Sequence, residues 1–377
     1  MPNIVGYGNT QIPTNAMLGD LAYQDSISEI NLEKIKARTD DTAVDIFVYD
    51  TRKDSDGGAW RHRTQHLSWY KEGVSALRGT RKEFPVVAVL VLQSLKLTIY
   101  DGDDPNLPMW MVVTGANNNY AIETQARCTA ALNGIVCIGC GSSGHDFYQV
   151  NFLLDAAFEM STGGDFRFVD NIGTRSSHNR GGLDGGRRLN SRKINDVAMT
   201  VLPKAPIDDV TGLPVPTIAV ATDVGISIIN NDGTTVTDMR PTGSSVAQAK
   251  EIYFTKSNKI AFTHGGNWVY YYPIPFSDTT STYWNGLSGF IGRFTDTQRD
   301  WVTNGIPINV GSNGITNFLE DRAIGHTNGV DLIDINEGGL LGNGMHCGIA
   351  TDFNTGWQHG DIRSAFLSDT TVETINQ

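Results

Sequence analysis

The chain has 377 residues with little cysteine, little positive charge and no long apolar run. Four cysteines (Cys128, Cys137, Cys140 and Cys347) are too few for a disulfide-stapled scaffold of this length. Lys and Arg total 29 against 41 Asp and Glu, and the formal net charge of −12 disfavours a nucleic-acid binder. Without a run of about 18 or more apolar residues, we expect no membrane insertion.

The first residues, MPNIVGYGNTQIP, also lack the basic start and apolar core of a signal peptide. We therefore expect synthesis as a soluble product in a cytoplasm. Long apolar stretches with helical periodicity are scarce, whereas glycine is abundant, with 41 residues. This combination predicts a mainly β fold with many turns.

The clearest structural unit lies at 216–232, PTIAVATDVGISIINND. It holds two short runs rich in β-branched residues, separated by Asp223, Val224 and Gly225. Such a pair predicts a hairpin, because Gly225 can take a positive φ at little cost.

Degraded copies of this hairpin occur at 135–152, 259–272 and 323–333. Successive turn glycines are 81, 41 and 63 residues apart, which corresponds to two periods, one period, and one period plus an insertion. A period of roughly 40 residues is the length of a four-stranded propeller blade. These glycines are Gly144, Gly225, Gly266 and Gly329. The pattern predicts β-propeller-like repeats, and degenerate hairpins of a β-sandwich are the alternative.

Residues 1–25 predict an extended arm that carries apolar anchors but cannot form its own core. A capping box from Ser26 to Glu29 then predicts a short helix that runs to about Arg38. Either the arm docks on a partner, or it lies as a strap on its own domain. The predicted docking residues are Ile12, Met17, Leu18, Leu21, Tyr23, Ile27 and Ile30.

The domain prediction places the arm and helix at 1–42 and a propeller-like domain at 43–377. Within that domain, 43–124 forms either a first β-subdomain or the first blade, and repeated blades occupy 125–377. A propeller closes its ring when both chain ends complete one blade, so either the strand at 44–49 closes this ring or the chain continues past residue 377.

Residues 163–193 predict a loop rich in Gly and Arg, either a solvated insertion or an anion-binding loop. Its arginines include Arg180, Arg187, Arg188 and Arg192.

Other polar motifs give no catalytic, cofactor-binding or metal residue. Cys137 and Cys140 have CxxC spacing but sit in an apolar strand, which favours buried structural thiols. The acidic stretches 54–57 and 101–104 lack the rest of a calcium loop and favour solvated turns. His62 and His66 stand four apart in an aromatic, β-leaning stretch, which favours packing over a metal pair. No carboxylate pair for glycoside hydrolysis can be selected.

Three stretches, at 10–25, 44–70 and 83–112, resemble tail-fibre-like structural proteins of phages that infect marine bacteria, cyanobacteria among them. They read TQIPTNAMLGDLAYQD, VDIFVYDTRKDSDGGAWRHRTQHLSWY and EFPVVAVLVLQSLKLTIYDGDDPNLPMWMV. The later units ALNGIVCIG and PTIAVATDVGISIINNDGT resemble the propeller repeats of the same proteins.

The resemblance implies a non-enzymatic virion tail component that is made in the host cytoplasm and attaches through its N-terminus. Its implied partners are other tail proteins (adaptor, nozzle or portal), further copies in a trimer or hexamer, and a host surface glycan. The family's long C-terminal extension is absent here, which leaves direct receptor contact open. Two alternatives remain: a glycan-degrading hydrolase of the tailspike type, and a component of the tail nozzle ring.

Overall fold

The computed structural model describes the chain from residue 42 onward with gaps, together with Lys34 and Ile35. The described residues are 34–35, 42–114, 122, 125–141, 147–161, 164–168, 172, 180–183, 188–233, 235–243, 247–255, 258–264, 268–275, 277–281, 283, 292–295, 315–318, 321–326, 329–334, 345–350 and 364–367. Within this part, no helix is both long and apolar enough to cross a membrane.

The first sheet is an antiparallel meander in the order β1-β2-β3-β4. Its strands are β1 (Ala43–Asp50), β2 (Val87–Gln93), β3 (Lys96–Asp101) and β4 (Met109–Thr114). A long connection at 51–86 joins β1 to β2 and holds three short helices. These are the 3₁₀ helices η1 (Thr51–Lys53) and η2 (Ala59–Arg63) and the single-turn α1 (Ser68–Lys71).

The second sheet has six strands in sequential antiparallel order. They are β5 (Ala126–Leu132), β6 (Ile135–Cys140), β7 (Phe147–Asn151), β8 (Ala156–Ser161), β9 (Gly164–Phe168) and β10 (Arg180–Leu183). The prediction of a loop at 163–193 is therefore wrong where β9 and β10 extend the sheet. These extra strands account for the double repeat spacing between Gly144 and Gly225.

The third and fourth sheets follow the same meander. The third contains β11 (Ile194–Thr200), β12 (Thr217–Thr222), β13 (Gly225–Ile229) and β14 (Val236–Pro241). The fourth contains β15 (Ala249–Phe254), β16 (Lys259–His264), β17 (Trp268–Pro273) and β19 (Gly292–Thr295). Between β17 and β19, β18 (Thr279–Ser281) returns to pair in parallel with β14, which ties the two sheets together at their rims.

The fifth sheet is a sequential antiparallel meander as well. Its strands are β20 (Ile315–Phe318), β21 (Asp321–His326), β22 (Gly329–Asp334), β23 (Met345–Ala350) and β24 (Ser364–Leu367).

Four sheets form a propeller-like arrangement, which confirms the predicted mainly β fold class. Their first strands lie side by side in series, with β1 against β5, β5 against β11, and β11 against β15. All four hairpins predicted from the repeat are present, as β6–β7, β12–β13, β16–β17 and β21–β22.

Gly225 shows why the hairpin of the third sheet needs glycine. Its φ is +150°, and a Cβ there would lie 2.2 Å from the carbonyl oxygen of Met239 on the next strand. No other residue type fits this approach without moving β14.

Candidate docking face and the seams between the sheets

The predicted docking residues Ile12, Met17, Leu18, Leu21, Tyr23, Ile27 and Ile30 lie outside the described residues. Of the predicted helix, the structure describes only Lys34 and Ile35, and both are helical. Ile35 is only 3% exposed and packs with Val89, Val91 and Tyr100 of the first sheet. The Lys34 ammonium donates a hydrogen bond to the carbonyl oxygen of Pro105, at 2.7 Å. The chain segment before β1 is thus anchored on its own domain at this point.

Ile35 contacts the outer face of the first sheet, meaning the face turned away from the second sheet. On β1 this face carries Val44, Ile46 and Val48, which are exposed by 43%, 41% and 43%. Three β-branched side chains alternate here with residues that turn toward the second sheet. We call β1, β5, β11 and β15, the first strands of the four sheets, the inner strands, because they lie side by side. A row of exposed apolar residues on such a strand is a candidate docking face.

Each inner strand of the four sheets carries a β-bulge near its start. The pairing register shifts between Ala43 and Asp45, between Ala126 and Cys128, between Ile194 and Asp196, and between Ala249 and Ile252. The four strands therefore share the short motifs AVDI, ARCT, INDV and AKEI. The third position is acidic in three of the four motifs, and the fourth is β-branched in all.

The fourth motif position shows that the first sheet differs from the others. Thr129, Val197 and Ile252 are 4%, 5% and 4% exposed, because each faces the preceding sheet. Ile46 holds the same position in β1 and is 41% exposed. At this position the first sheet is therefore more exposed than the other three sheets, as far as the described residues show.

Carboxylates at the third motif position bind neighbouring sheets together. Asp45 accepts a hydrogen bond at 2.8 Å from the backbone N–H of Thr129, and Asp196 accepts one at 2.8 Å from the N–H of Ile252. Each carboxylate thereby joins its inner strand to the inner strand of the next sheet.

These carboxylates are harder to ionise than ordinary ones. Burial raises the pKa of Asp196 from 3.8 to about 8, against the opposing effect of its backbone hydrogen bonds, and the charges of Glu251 and Asp45 add to the rise. Burial likewise raises the pKa of Asp45. The pKa of the Cys128 thiol, at the third position of β5, is raised first by burial and then by Asp196 and Asp45.

The acidic positions do not make a metal site. Among the residues that the structure describes, no three His, Cys, Asp or Glu side chains are placed to hold a metal ion. The geometry instead supports a structural role for Asp45 and Asp196, because both carboxylates accept backbone N–H groups.

A buried carboxylate, Asp54, organises the connection 51–86 over the first and second sheets. It accepts hydrogen bonds from the Tyr49 hydroxyl at 2.5 Å, the Trp60 indole at 2.7 Å and the backbone N–H of Asn133 at 2.7 Å. Burial raises the pKa of both Asp54 and Tyr49. The Asn133 amide in turn donates to the carbonyl oxygen of Pro214 in the third sheet's loop. One network therefore joins three sheets at the same end.

Beneath this network lies an aromatic cluster of Trp60, Trp69, Phe84, Trp110 and Phe152, each at most 1% exposed. The ring of Phe84 stands 4.9 Å from those of Trp110 and Phe152. The Arg78 guanidinium, also buried, lies 4.5 Å from the centroid of the Trp110 ring, a favourable cation–π distance. The connection 51–86 is therefore an integral part of the core.

The chemical candidates from the sequence have structural roles. Cys137 and Cys140 are buried and form no disulfide, as predicted, and burial raises the pKa of Cys137. The prediction of a solvated turn at 54–57 is wrong for Asp54. At 101–104, Asp101 and Asp103 bind Arg81 at 2.6 and 2.8 Å. The prediction that His62 and His66 pack inside is also wrong, since both are exposed.

No protein-family model matches the chain, and no curated protein matches it either. Solved structures with a distant likeness include a Polycomb Repressive Complex 2 chain from Chaetomium thermophilum, with 11% identity and a TM-score of 0.36 over 66% of this chain and 46% of that one. A second is virginiamycin B lyase from Staphylococcus aureus, with 10% identity and a TM-score of 0.30 over 78% and 86% of the chains. A third is an auxiliary nutrient-binding protein from Bacteroides thetaiotaomicron, with 8% identity and a TM-score of 0.35 over 65% and 51%. Likenesses this distant carry no argument about function.

Proposed function

We propose that the chain is a structural component of a bacteriophage tail, in which the propeller-like body is a rigid platform and the N-terminal arm docks on a neighbouring tail protein. The support for this proposal comes from the predicted arm and from its connection to the body. The sequence predicts an apolar arm at 1–25 that cannot form a core of its own, and Ile35, which follows it, is buried on the first sheet. The family resemblance of 10–25, 44–70 and 83–112 gives this arrangement its biological setting.

A rigid body suits a part that transmits load. The three seams between neighbouring sheets are filled by side chains from both sides, and carboxylate clamps reinforce two of them. Close packing of this kind has low compressibility and transmits force directly. The net charge of −12 fits protein partners better than nucleic acid.

The arm is tested in assembled particles. We expect deletion of residues 1–25, or the triple substitution Met17→Asp, Leu18→Asp and Leu21→Asp, to abolish incorporation into virions while the thermal unfolding midpoint of the purified chain stays unchanged. Val210→Asp is the matched control, because Val210 is an apolar residue 78% exposed on the body. Particles that incorporate the deletion variant at the normal level would refute arm docking.

Two further measurements separate this function from its alternatives. A mass measurement of the purified chain is expected to give a trimer or hexamer, and the position of its density in intact particles distinguishes a fibre from a nozzle ring. Incubation with host envelope polysaccharide is expected to release no reducing ends. Release of reducing ends would favour a tailspike-type hydrolase instead.

A further inference from the structure

We propose that the rim at which β5, β11 and β15 begin binds an acidic polysaccharide through positively charged side chains. This rim includes residues 188–193, RLNSRK, from the Gly- and Arg-rich stretch for which the sequence left a solvated insertion and an anion-binding loop as alternatives. We call the cations of this region the basic rim. They are Arg127, Arg188, Arg192, Lys193 and Lys250, of which the first four are exposed and the last is half-buried.

The arginine-rich segment of the basic rim is held on the third sheet, beside the β12–β13 turn. The backbone N–H of Asn190 donates a hydrogen bond to the Ser227 hydroxyl at 3.0 Å. The side-chain oxygen of Asn190 accepts one from the Thr222 hydroxyl at 2.7 Å. Arg188 and Arg192 lie two positions before and after this anchor. A fixed backbone therefore presents two solvent-exposed guanidinium groups.

A chain of polar contacts joins the basic rim across three sheets. The Arg127 guanidinium donates a hydrogen bond to the side-chain oxygen of Asn195 at 2.9 Å. The Asn195 amide donates in turn to the Asp223 carboxylate at 3.1 Å and to the Ala249 carbonyl oxygen at 2.7 Å. The Lys193 ammonium lies 3.5 Å from the second carboxylate oxygen of Asp223. These contacts order the cations before a ligand arrives, which reduces the entropy cost of binding.

The carboxylates of this region only partly offset its positive charge. Asp223 pairs with Lys193, and Glu251 on β15 is half-buried. Asp45 and Asp196 are held back from ionisation, because burial raises the pKa of both, that of Asp196 to about 8. The rim is thus positive on a chain whose formal net charge is −12. Such a local excess attracts anions over about 10 Å at moderate salt.

The surroundings of these cations favour a polysaccharide over a protein or a nucleic acid. The large apolar side chains that are exposed in the described part of the chain include none on 188–193, β5, β11 or β15, whereas the centre of a protein interface is usually apolar or aromatic. The Ser191 hydroxyl and the amides of Asn195 and Gln248 lie among the cations, and such groups bind sugar hydroxyls. Duplex DNA, with one charge per about 1.7 Å, would be repelled by the rest of this acidic chain.

Charge reversal in the purified full chain tests the basic rim. Calorimetric titration at low salt measures binding to alginate, which carries carboxylates, and to dextran sulfate, with neutral dextran as the blank. We expect Arg188→Glu combined with Arg192→Glu to weaken the binding at least about tenfold. The matched control is Lys53→Glu combined with Lys71→Glu, because these exposed lysines belong to the connection 51–86 at the opposite end of the sheets. The control should change the Kd by less than about twofold.

The remaining outcomes divide clearly. Binding to only one of the two polysaccharides would assign the acidic group as carboxylate or sulfate, and supports the proposal. An equal loss in the lysine control would mean that overall charge, and not the basic rim, governs binding. Binding of poly(dT) or polyglutamate as tight as that of the polysaccharides would assign the rim to nucleic acid or to an acidic protein segment, and overturns the proposal. Absence of binding to both polysaccharides overturns it too. The titration needs neither particles nor residues 1–25, so a failure here is distinct from a failure of arm docking.

Discussion

The inner strands face two different surroundings, because three seams between sheets are closed and the outer face of the first sheet is largely open. In the closed seams, Thr129, Val197 and Ile252 are at most 5% exposed. On the open face, Ile46 keeps 41% of its surface in contact with water, although Ile35 packs nearby on Val89, Val91 and Tyr100. Full burial of a side chain like Ile46 is worth about 1.5–3 kcal/mol, so the open face holds unused stabilisation.

Among substitutions in the closed seams, Asp54→Ala has the largest expected effect on the free energy of unfolding. Asp54→Ala leaves the Tyr49 hydroxyl, the Trp60 indole and the Asn133 N–H without their buried acceptor. Since each unsatisfied buried donor costs about 1–3 kcal/mol, we expect the free energy of unfolding to fall by about 4 kcal/mol. Chemical denaturation followed by tryptophan fluorescence measures the change, because Trp60 itself reports on the cluster.

Asp209→Ala serves as the control for Asp54→Ala, because Asp209 is an exposed carboxylate in a loop. Its substitution should change the unfolding free energy by less than about 0.5 kcal/mol. A loss below about 1 kcal/mol for Asp54→Ala would show that the three donors find other partners, and that the network does not hold the first seam together.

Packing predicts a smaller but sharper contrast between the two faces of the first sheet. Leu90 on β2 is fully buried in the seam with the second sheet, whereas Val44 at the bulge of β1 is 43% exposed. We expect Leu90→Ala to lower the free energy of unfolding by about 3 kcal/mol, because it leaves a cavity. Val44→Ala should cost less than about 0.5 kcal/mol. A similar loss of unfolding free energy for the two variants would mean that Val44, at the bulge of β1, is buried in solution.

Strand periodicity allowed the hairpins to be predicted from the sequence. Alternating β-branched runs on either side of short polar turns fix the register locally, as at Gly225, and all four predicted hairpins are present. For 43–124 the sequence left a first β-subdomain and a first blade as alternatives, because the turn at Ser94 and Leu95 contains no glycine to match the other repeats. The motifs AVDI, ARCT, INDV and AKEI were the signal that could have decided between them.

Long-range contacts account for what the sequence could not predict. The role of Asp54 depends on Asn133, 79 positions away, and that of Asp196 on Ile252, 56 positions away. The sequence around Asp54 is typical of a solvated turn or a calcium loop, since nothing local announces that Tyr49 and Trp60 will turn toward it. The open face was missed for the same reason, because its exposure depends on the placement of a whole neighbouring sheet.

The smallest expected effect on the free energy of unfolding depends on pH. It concerns the hydrogen bond from the Ile252 N–H to Asp196, which joins the third and fourth sheets. Burial raises the pKa of Asp196 to about 8, so between its ordinary value of 3.8 and about 8 the folded state holds a proton that the unfolded chain has lost. Stability therefore falls as pH rises through this window and levels off above it. The negative charges of Glu251 and Asp45 add to the effect of burial, because they also oppose the ionisation of Asp196.

Asp196→Asn removes the proton but keeps an oxygen that can accept the Ile252 N–H. Relative to the wild type, we expect the variant to gain at least about 1.4 kcal/mol of unfolding free energy between about pH 5 and pH 8, which is the equivalent of one pKa unit. Denaturation at several pH values measures this slope, with Asp209→Asn as the exposed control whose slope should match the wild type. If Asp196→Asn also kept the wild-type slope, the carboxylate would be ionised in the folded protein. An ionised Asp196 would have to be in contact with water, so the seam between the third and fourth sheets would be hydrated there, like the outer face of the first sheet.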